Sequence, residues 1–311
     1  MSGNLIISLD CEGKWGLFNK LNSTKKFTNK GLLNTYSKIQ NLLDVYDFSA
    51  TFAFVSAFLL KENEKKNFSC FFEKNEAYSK SLKVFNSLEQ NEKVEGWFLP
   101  EVLDIVNKSA NEIACHSFSH LAFDEKIEKK LIINELENCH KVAKIKKLEF
   151  KTFIFPYNII GHQELLKNYS FLGYRYHKKN IKNFYFKIIN FLQEFNIYQS
   201  IKKYTKFEEG QLIKIPGDFF FNWRHKMRKA LVPQSITILR WNNLLKKAVN
   251  EKLTLNLWFH PHNLISGPET YKVLKEVLGK AAILRDQGKL NIITQLDYVK
   301  NINQNNDKKI N

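Results

Sequence analysis

The chain alternates short apolar segments with longer segments of helical periodicity, and this alternation is the feature that most constrains its fold. The apolar segments have the length and composition of buried strands. They lie at residues 5–9, 50–55, 112–115, 152–155, 212–215, 253–259 and 290–293. Segments with helical spacing lie between them, at 29–46, 97–106, 125–146, 163–168, 241–250 and 269–285. Strands that alternate with helices in this way predict a parallel α/β architecture.

The length of 311 residues fits a single α/β barrel, one domain with insertions, or two domains. Residues 61–95 and 178–209 interrupt the alternation and are predicted to be insertions. The second insertion is rich in Lys, Phe, Tyr and Ile. We expect it to pack on the barrel as a helix, with a basic, aromatic surface for lipid or a long substrate as the alternative. Residues 301–311 are predicted to be a polar tail that frays.

The formal net charge of +17 raises the question of an anionic partner. Most of the positive residues are lysines spread along predicted helices, together with many Asn and Ile residues. A general compositional bias explains this pattern, and no sequence signature of a nucleic-acid-binding module is present. We therefore predict no nucleic-acid partner, while an anionic substrate or a lipid headgroup stays compatible with the charge.

The four cysteines show no C-x-x-C spacing, so the sequence predicts free thiols in a reducing compartment. The first residues lead into an apolar strand without the features of a signal peptide. No apolar segment is long enough to span a bilayer. The expectation is a cytoplasmic protein, with peripheral contact at the inner face of the membrane left open.

Polar side chains follow four of the apolar segments, at the point where each predicted strand ends. They are Asp10 and Glu12, His116 and His120, Tyr157, and His260 with His262. The carboxyl ends of the strands in a parallel α/β barrel face the same end of the molecule. We therefore expect these side chains to converge, although they are far apart in the sequence.

Each of these groups has both a structural and a chemical interpretation. Of His116 and His120, one could pack in the core while the other caps a helix, or both could bind a metal ion. Asp10 and Glu12 are two residues apart and point to the same side of an extended backbone. One carboxylate could then join the imidazoles on a divalent ion while the other accepts a proton. His260 could be a structural histidine or a general acid.

The order of these motifs resembles that of the polysaccharide deacetylases of carbohydrate esterase family 4, the NodB-homology group. The resemblance rests on four motifs and extends over about residues 4–300. They are Ser-Leu-Asp-Cys-Glu with Trp-Gly at 8–16, His-Ser-Phe-Ser-His at 116–120, Phe-Ile-Phe-Pro-Tyr-Asn at 153–158 and Leu-Trp-Phe-His-Pro-His-Asn-Leu at 257–264. It implies one domain over 1–300 with a distorted or incomplete (β/α) barrel. It also implies hydrolysis of N-acetyl or similar groups on sugars with a divalent metal, commonly zinc.

The resemblance also assigns roles to individual residues. Asp10 matches the catalytic base, and Glu12, His116 and His120 match the metal ligands, with Glu12 in place of the usual Asp. His260 matches the catalytic acid, with His262 close enough to compete. Tyr157 matches the residue whose backbone N–H helps to hold the oxyanion. Asp218 would be placed to orient His260.

One departure from the family pattern concerns the base. The third motif usually carries an arginine that orients the base, and residues 153–158 contain none. Arg175 or Arg240 could take its place, or Asp10 could be held differently. The missing arginine also leaves open a catalytically inactive glycan-binding protein on the same fold.

The predicted function is metal-dependent removal of an N-acyl group from an amino sugar, with N-acetyl as the first expectation. A formamido-sugar deformylase uses the same chemistry and is the alternative. The expected substrate is a nucleotide-linked, lipid-linked or oligomeric acylamino sugar of cell-surface polysaccharide biosynthesis. The basic residues of the 178–230 stretch would suit a phosphate-bearing donor or an anionic membrane face. They include Arg224, Lys226, Arg228 and Lys229.

Overall fold

A computed structural model of the protein describes most of the chain. The described residues are 2–17, 26–68, 80–88, 95–177, 192–197, 199–201, 211–217, 219–222, 224–225 and 227–310, without the side chains of residues 193 and 305–310. Asp218 and Lys226, both named in the sequence analysis, lie outside these ranges. So does most of the predicted insertion at 178–209.

The strands of the described residues form one parallel sheet that curls into an incomplete (β/α) barrel, as predicted. They are β1 (Gly3–Cys11), β2 (Thr51–Phe54), β3 (Glu112–Cys115), β4 (Thr152–Ile154), β5 (Gly173–Tyr176), β6 (Ile213–Pro216), β7 (Phe219–Phe220), β8 (Thr254–Phe259) and β9 (Leu290–Ile293). Their order is β6-β5-β4-β3-β2-β1-β8-β7. Strand β1 is the centre of the sheet: β8 lies along one edge, while β2 and β9 share the other. Its side chains are buried almost throughout, which explains its apolar sequence.

The barrel is closed between β6 and β8 by side chains rather than by a backbone ladder in the described residues. Asn256 on β8 donates from Nδ2 to the Pro216 carbonyl oxygen at 2.6 Å and accepts from Ser8 Oγ at 3.0 Å. Trp258 donates from Nε1 to the Gly217 carbonyl oxygen at 3.0 Å. These side chains therefore join β8 to β6 through buried polar contacts without pairing between the two strands, while the short β7 pairs with β8 at Leu257 and Trp258.

Helices cover the outside of the sheet. They are α1 (Asn29–Val45), α2 (Lys80–Ser87), α3 (Val102–Val106), α4 (Lys129–Lys146), α5 (Met227–Leu231), α6 (Gln234–Asn250), α7 (Asn263–Ser266), α8 (Thr270–Asp286) and α9 (Gln295–Ile310). Helix α1 begins where Thr28 Oγ1 accepts a hydrogen bond from the Gly31 N–H, as an N-cap does. None of the helices in the described ranges is long and apolar enough to cross a membrane.

Several predicted boundaries were wrong, each for a local reason. Helix α3 is shorter than the predicted 97–106 because Pro100 disfavours helical backbone at Leu99. The helical spacing of the 125–146 segment predicts Ile145 on its buried stripe, but the Ile145 side chain is 38% exposed. It lies nine residues after Leu136, about two and a half helical turns, and so on the opposite side of α4. Residues 301–310, expected to be a frayed tail, continue helix α9.

The two predicted insertions differ in how much the structure describes. The first contains a 3-10 segment at Glu62–Phe68 and helix α2. In the second, the described segment at 192–197 contacts α6 through polar groups, since Asn243 Nδ2 donates to the Ile197 carbonyl oxygen at 3.0 Å. Leu192 and Phe195, predicted to pack on the barrel, are 59% and 43% exposed.

Candidate metal and catalytic site

The predicted site residues lie together at the carboxyl end of the barrel. Asp10 is near the end of β1, and Glu12 follows that strand directly. His116 and His120 follow β3, Tyr157 follows β4, and His260 follows β8. The convergence predicted from strand order is therefore present in the structure. All of these residues except His116 border a cleft of about 300 Å³, which Trp258, His262 and Asn263 also line.

One carboxylate oxygen of Glu12 lies at the centre of this site. Its Oε1 is 3.0 Å from His120 Nε2, 3.2 Å from His116 Nε2 and 3.3 Å from His260 Nε2. Burial alone would raise the pKa of the Glu12 carboxyl, but the imidazoles of these histidines hold it well below its ordinary value. Glu12 is thus a buried anion surrounded by nitrogen atoms on three sides.

The space for the Glu12 carboxylate depends on Gly16. A Cβ atom added at Gly16 would overlap Glu12 Oε2. The Trp-Gly pair of the first motif therefore has a steric role, because only a residue without a side chain fits beside the carboxylate.

Asp10 is held by Arg175, which lies on β5. Arg175 donates from its two terminal nitrogens to Asp10 Oδ1 at 2.6 Å and Oδ2 at 2.7 Å. Burial would raise the pKa of Asp10, but the Arg175 guanidinium holds it below its ordinary value. The guanidinium also lies 4.2 Å from the centre of the Trp258 ring and donates to Asn158 Oδ1 at 3.2 Å. A forked pair of this kind fixes the orientation of the carboxylate.

This contact decides between the two arginines considered from the sequence. Arg240 lies on α6 and contacts Glu194 at 3.2 Å, in a buried ion pair away from Asp10. Of the two arginines, Arg175, on the strand that follows the third motif, is the one that pairs with Asp10.

The loop between His116 and His120 has an unusual backbone. Ser117 and His120 both have a φ of 63°, in the left-handed region that non-glycine residues rarely adopt. His116 is fixed from behind, because its Nδ1 lies 2.8 Å from the Ile154 carbonyl oxygen. Glu135 on α4 contacts the middle of the loop at Phe118 and Ser119. Burial raises the pKa of Glu135 to about 7.

His260 lies against both carboxylates. Its Nε2 is 3.3 Å from Glu12 Oε1 and 4.0 Å from Asp10 Oδ2. Burial lowers the pKa of His260, but the Glu12 and Asp10 carboxylates raise it more, so the net pKa is raised. The Asn263 side-chain amide lies 3.4 Å from His260 Nδ1. His262 lines the same cleft, with its ring centre 5.0 Å from that of His260.

Tyr157 occupies a short turn, Pro156–Asn158, beside the histidine loop. Tyr157 and Asn158 are both left-handed, with φ of 58° and 54°, and the Tyr157 ring centre is 4.5 Å from that of His120. The N–H groups of Asn158 and Ile159 donate to the carbonyl oxygens of Phe155 and Pro156. No such bond engages the Tyr157 N–H within the described ranges. Tyr157 itself lines the cleft.

The donor set of Glu12, His116 and His120 fits a divalent cation. Ligand atoms of these three residues lie within 4.8 Å of one another. Because the Ile154 carbonyl can only accept, His116 Nδ1 carries the hydrogen, and a neutral His116 turns the lone pair of Nε2 toward Glu12 Oε1. Two acceptors at 3.2 Å repel each other unless a cation or a proton lies between them. A carboxylate with two imidazoles is a ligand set that zinc and similar ions accept.

A second set, Asp10, Glu12 and His260, is also close enough to hold an ion. Both oxygens of Asp10 accept hydrogen bonds from Arg175, however. This pairing makes the second set the poorer one, because a bound cation would lie beside the guanidinium.

Three features of the site were not predicted from the sequence: the roles of Gly16, Glu135 and Asn158. A signal was present for Glu135, since a carboxyl among the apolar residues of the α4 stripe is unusual in a helix. The space at Gly16 and the Asn158 contact with Arg175 depend on three-dimensional packing and left no sequence signal.

No protein-family model and no curated protein sequence matches the chain. Among solved structures, a candidate polysaccharide deacetylase from Mycobacterium smegmatis is 10% identical, with a TM-score of 0.63 over 98% of this chain and 92% of that one. The allantoinase PuuE is also 10% identical, with a TM-score of 0.54 over 96% and 89% of the two chains. The peptidoglycan deacetylase PdaC from Bacillus subtilis is 14% identical, with a TM-score of 0.45 over 99% and 96%.

The overlays with the Mycobacterium smegmatis protein and the allantoinase extend over nearly the whole chain. Because the sequence identities are low, this likeness shows only the fold. Two proteins with different substrates in their names share this fold, so the activity has to be argued from the site. The chain therefore has the incomplete-barrel fold of a polysaccharide deacetylase, and in fold the resemblance carried by its four motifs is confirmed.

Proposed function

We propose that the protein is a metal-dependent hydrolase that removes an N-acyl group, in the first instance N-acetyl, from an amino sugar. The observation that carries this proposal is the convergence of three imidazoles on Glu12 Oε1, beside an Asp10 that Arg175 keeps ionised. The likeness in fold to the candidate polysaccharide deacetylase from Mycobacterium smegmatis supports it. Glu12, His116 and His120 are the proposed ligands, and zinc is the proposed metal.

The proposed chemistry is hydrolysis of the amide bond. A divalent ion on the three ligands would supply a Lewis acid for the acyl carbonyl and lower the pKa of the attacking water. Asp10 accepts a proton from that water as its oxygen bonds to the carbonyl carbon. The Tyr157 N–H donates to the carbonyl oxygen as negative charge develops there. His260 then donates a proton to the sugar nitrogen as the C–N bond breaks, which releases the acyl group as a carboxylate.

His260 is preferred over His262 as the acid because it faces the carboxylates. A raised pKa favours the protonated imidazole, which is the form that a general acid requires. Asp10 is suited to the role of base for the complementary reason, since its pKa is lowered and it stays ionised.

For the substrate carrier we retain a nucleotide, a lipid or an oligosaccharide, in cell-surface polysaccharide biosynthesis. A cytoplasmic address and peripheral membrane contact stay predictions. Among the described residues of the basic stretch suggested for phosphate, three cations contact carboxylates: Arg224 and Lys229 both contact Glu269, at 3.7 Å and 2.8 Å, and Arg228 contacts Glu194 at 3.3 Å. These contacts compete with a phosphate for the same three side chains.

The test is acyl release from a panel of acetylated and formylated amino sugars, free, nucleotide-linked and lipid-linked, with allantoin included because an allantoinase shares the fold. We expect acetate from at least one member; formate alone would identify a deformylase. His116→Ala should lose both the bound metal and turnover, whereas the exposed His140→Ala on α4 should keep both. A protein that binds no divalent metal, or that works at full rate after metal removal, would overturn the proposal.

A further inference from the structure

The loop that carries His116 and His120 is held on two sides by hydrogen bonds from other parts of the chain. On one side, the carbonyl oxygens of Ser117 and Phe118 accept hydrogen bonds from the N–H groups of Ser56 and Ala57, at 2.9 and 3.0 Å. The Ser119 carbonyl oxygen accepts from Ser81 Oγ on α2. The carbonyl groups of the loop are therefore engaged by the segment after β2 and by α2.

The N–H groups of the loop point to the other side, where they meet one buried carboxyl. Glu135 Oε2 accepts from the Phe118 N–H and the Ser119 N–H, both at 2.9 Å. Glu135 Oε1 lies 2.6 Å from Ser119 Oγ. Glu135 is fully buried on α4, and it has no part in the proposed chemistry.

The backbone of the loop explains why it needs such a support. Ser117 and His120, which flank the two residues bound by Glu135, are left-handed with φ of 63°. Each such residue costs about 1 kcal/mol or more, and the conformation persists only where its surroundings fix it. Without an acceptor, the two buried N–H groups would be unsatisfied, and the loop would relax toward ordinary backbone.

We propose that Glu135 is a positioning residue that sets the separation and direction of the His116 and His120 imidazoles for metal binding. This inference rests on the proposed function for its ligand set. Groups behind metal ligands commonly change affinity by about 10- to 100-fold when they are removed. Glu135 acts in this way through the backbone of the loop and does not itself line the cleft.

The test compares Co²⁺ binding to the full chain carrying Glu135→Leu, Glu135→Gln or the control Glu137→Gln, which is exposed on the same helix. Affinity is measured by titration, and the visible absorption of bound Co²⁺ reports ligand geometry. We expect Glu135→Leu to weaken Co²⁺ binding about 10- to 100-fold and to change the spectrum. Glu135→Gln should stay within about threefold of wild type, because its amide oxygen still accepts both N–H groups and its NH₂ can donate to Ser119 Oγ.

Wild-type affinity and spectrum in a folded Glu135→Leu variant would overturn the proposal, as would a Glu135→Gln variant as weak as Glu135→Leu. If Glu135→Leu does not fold, Glu135→Asp decides, since its shorter side chain cannot keep the same contacts; at least a fivefold loss of affinity is expected, and wild-type affinity would overturn the proposal. A wild-type protein that binds Co²⁺ but releases no acyl group defeats the proposed function and leaves the role of Glu135 standing. A wild-type protein that binds no Co²⁺ defeats both.

Discussion

Both ends of the barrel contain buried carboxyl groups on or directly after a strand, but their surroundings shift the pKa of these groups in opposite directions. At the carboxyl end, Asp10 and Glu12 face Arg175 and three imidazoles, which lower the pKa of both groups. At the amino end, Glu112 accepts from Thr51 Oγ1 at 2.7 Å, from Thr152 Oγ1 and from the Leu296 N–H at 2.9 Å. These partners are neutral, and burial raises the pKa of Glu112.

This difference separates a reactive carboxylate from a structural one. The Arg175 guanidinium keeps Asp10 charged and able to accept a proton, at the cost of removing both charges from water. Neutral donors satisfy the oxygens and tie strands β2, β3 and β4 to the start of α9. Left-handed residues surround the first end at Ser117, His120, Tyr157 and Asn158, which is the pattern of strain at a functional site.

The largest expected effect is at Asp10. Asp10→Asn should lower kcat/KM by about 10³-fold, because an amide cannot accept the proton that the base receives. Acyl release with the best substrate of the panel measures it, and Co²⁺ affinity shows whether the ligand set is intact. The exposed Asp104→Asn on α3 is the matched control and should behave as wild type. Turnover by Asp10→Asn at the wild-type rate would show that Asp10 is not the base, and the carboxyl end would then hold no reactive carboxylate at this position.

At the other end, Glu112→Leu should act on stability instead. It leaves the Leu296 N–H and two threonine hydroxyls without their acceptor, so the free energy of unfolding should fall by about 3 kcal/mol. Urea titration measures the change, and kcat of the remaining folded protein should be unchanged. If Glu112→Leu reduces kcat as strongly as Asp10→Asn does, the two ends are not separate in role.

A smaller effect, on metal binding, is expected at Gly16, whose backbone lies against the proposed ligand Glu12. Gly16→Ala places a methyl group where Glu12 Oε2 lies and should weaken divalent metal binding by about 10- to 100-fold. Gly31→Ala in α1 is the control, since its added Cβ would lie 3.2 Å from Thr28 Oγ1 and far in sequence from the ligands. Isothermal titration with Zn²⁺ measures both variants. An unchanged affinity in Gly16→Ala would show that Glu12 is not a ligand in the observed rotamer.

The smallest effect concerns the pH dependence of stability. The folded pKa of Glu112 is raised above its ordinary value of 4.5, so the folded state holds this proton more tightly than the unfolded state does. Its contribution to stability is therefore complete below pH 4.5 and is lost as the pH rises through the folded pKa. Glu112→Gln, which cannot titrate, should remove this part of the slope when unfolding free energies are measured from pH 4 to pH 8. The same slope in variant and wild type would contradict the assignment.

The grouping of site residues at the carboxyl end of the barrel could be predicted from the sequence, because it follows from the direction of the strands alone. Each strand of a parallel sheet ends on the same side, so polar residues after apolar segments had to meet. Arg175 could not be chosen over Arg240, because the choice depends on which side chain reaches across the barrel to Asp10. Strand β7 was not predicted either: two residues are too short for a periodic signal, and it exists because the chain turns directly from β6 toward β8.

Helix ends were predicted less well than strand ends. Helix α6 begins at Gln234, seven residues before the predicted 241, because Pro233 provides a start that hydrophobic spacing alone does not show. The amino end of the barrel was not predicted at all. Glu112, Thr51 and Thr152 read as ordinary polar residues at strand starts, and only the strand order brings them to one point.

Trp258 takes part both in the closure of the barrel and in the support of Asp10, the proposed base. Its indole N–H holds the Gly217 carbonyl oxygen across the gap between β8 and β6, and its ring face lies on the guanidinium that orients Asp10. A substitution of Trp258 that reshapes the cleft would therefore also loosen the join between β8 and the end of β6. In this protein, changes of specificity should be better tolerated in the loops around the cleft than at Trp258.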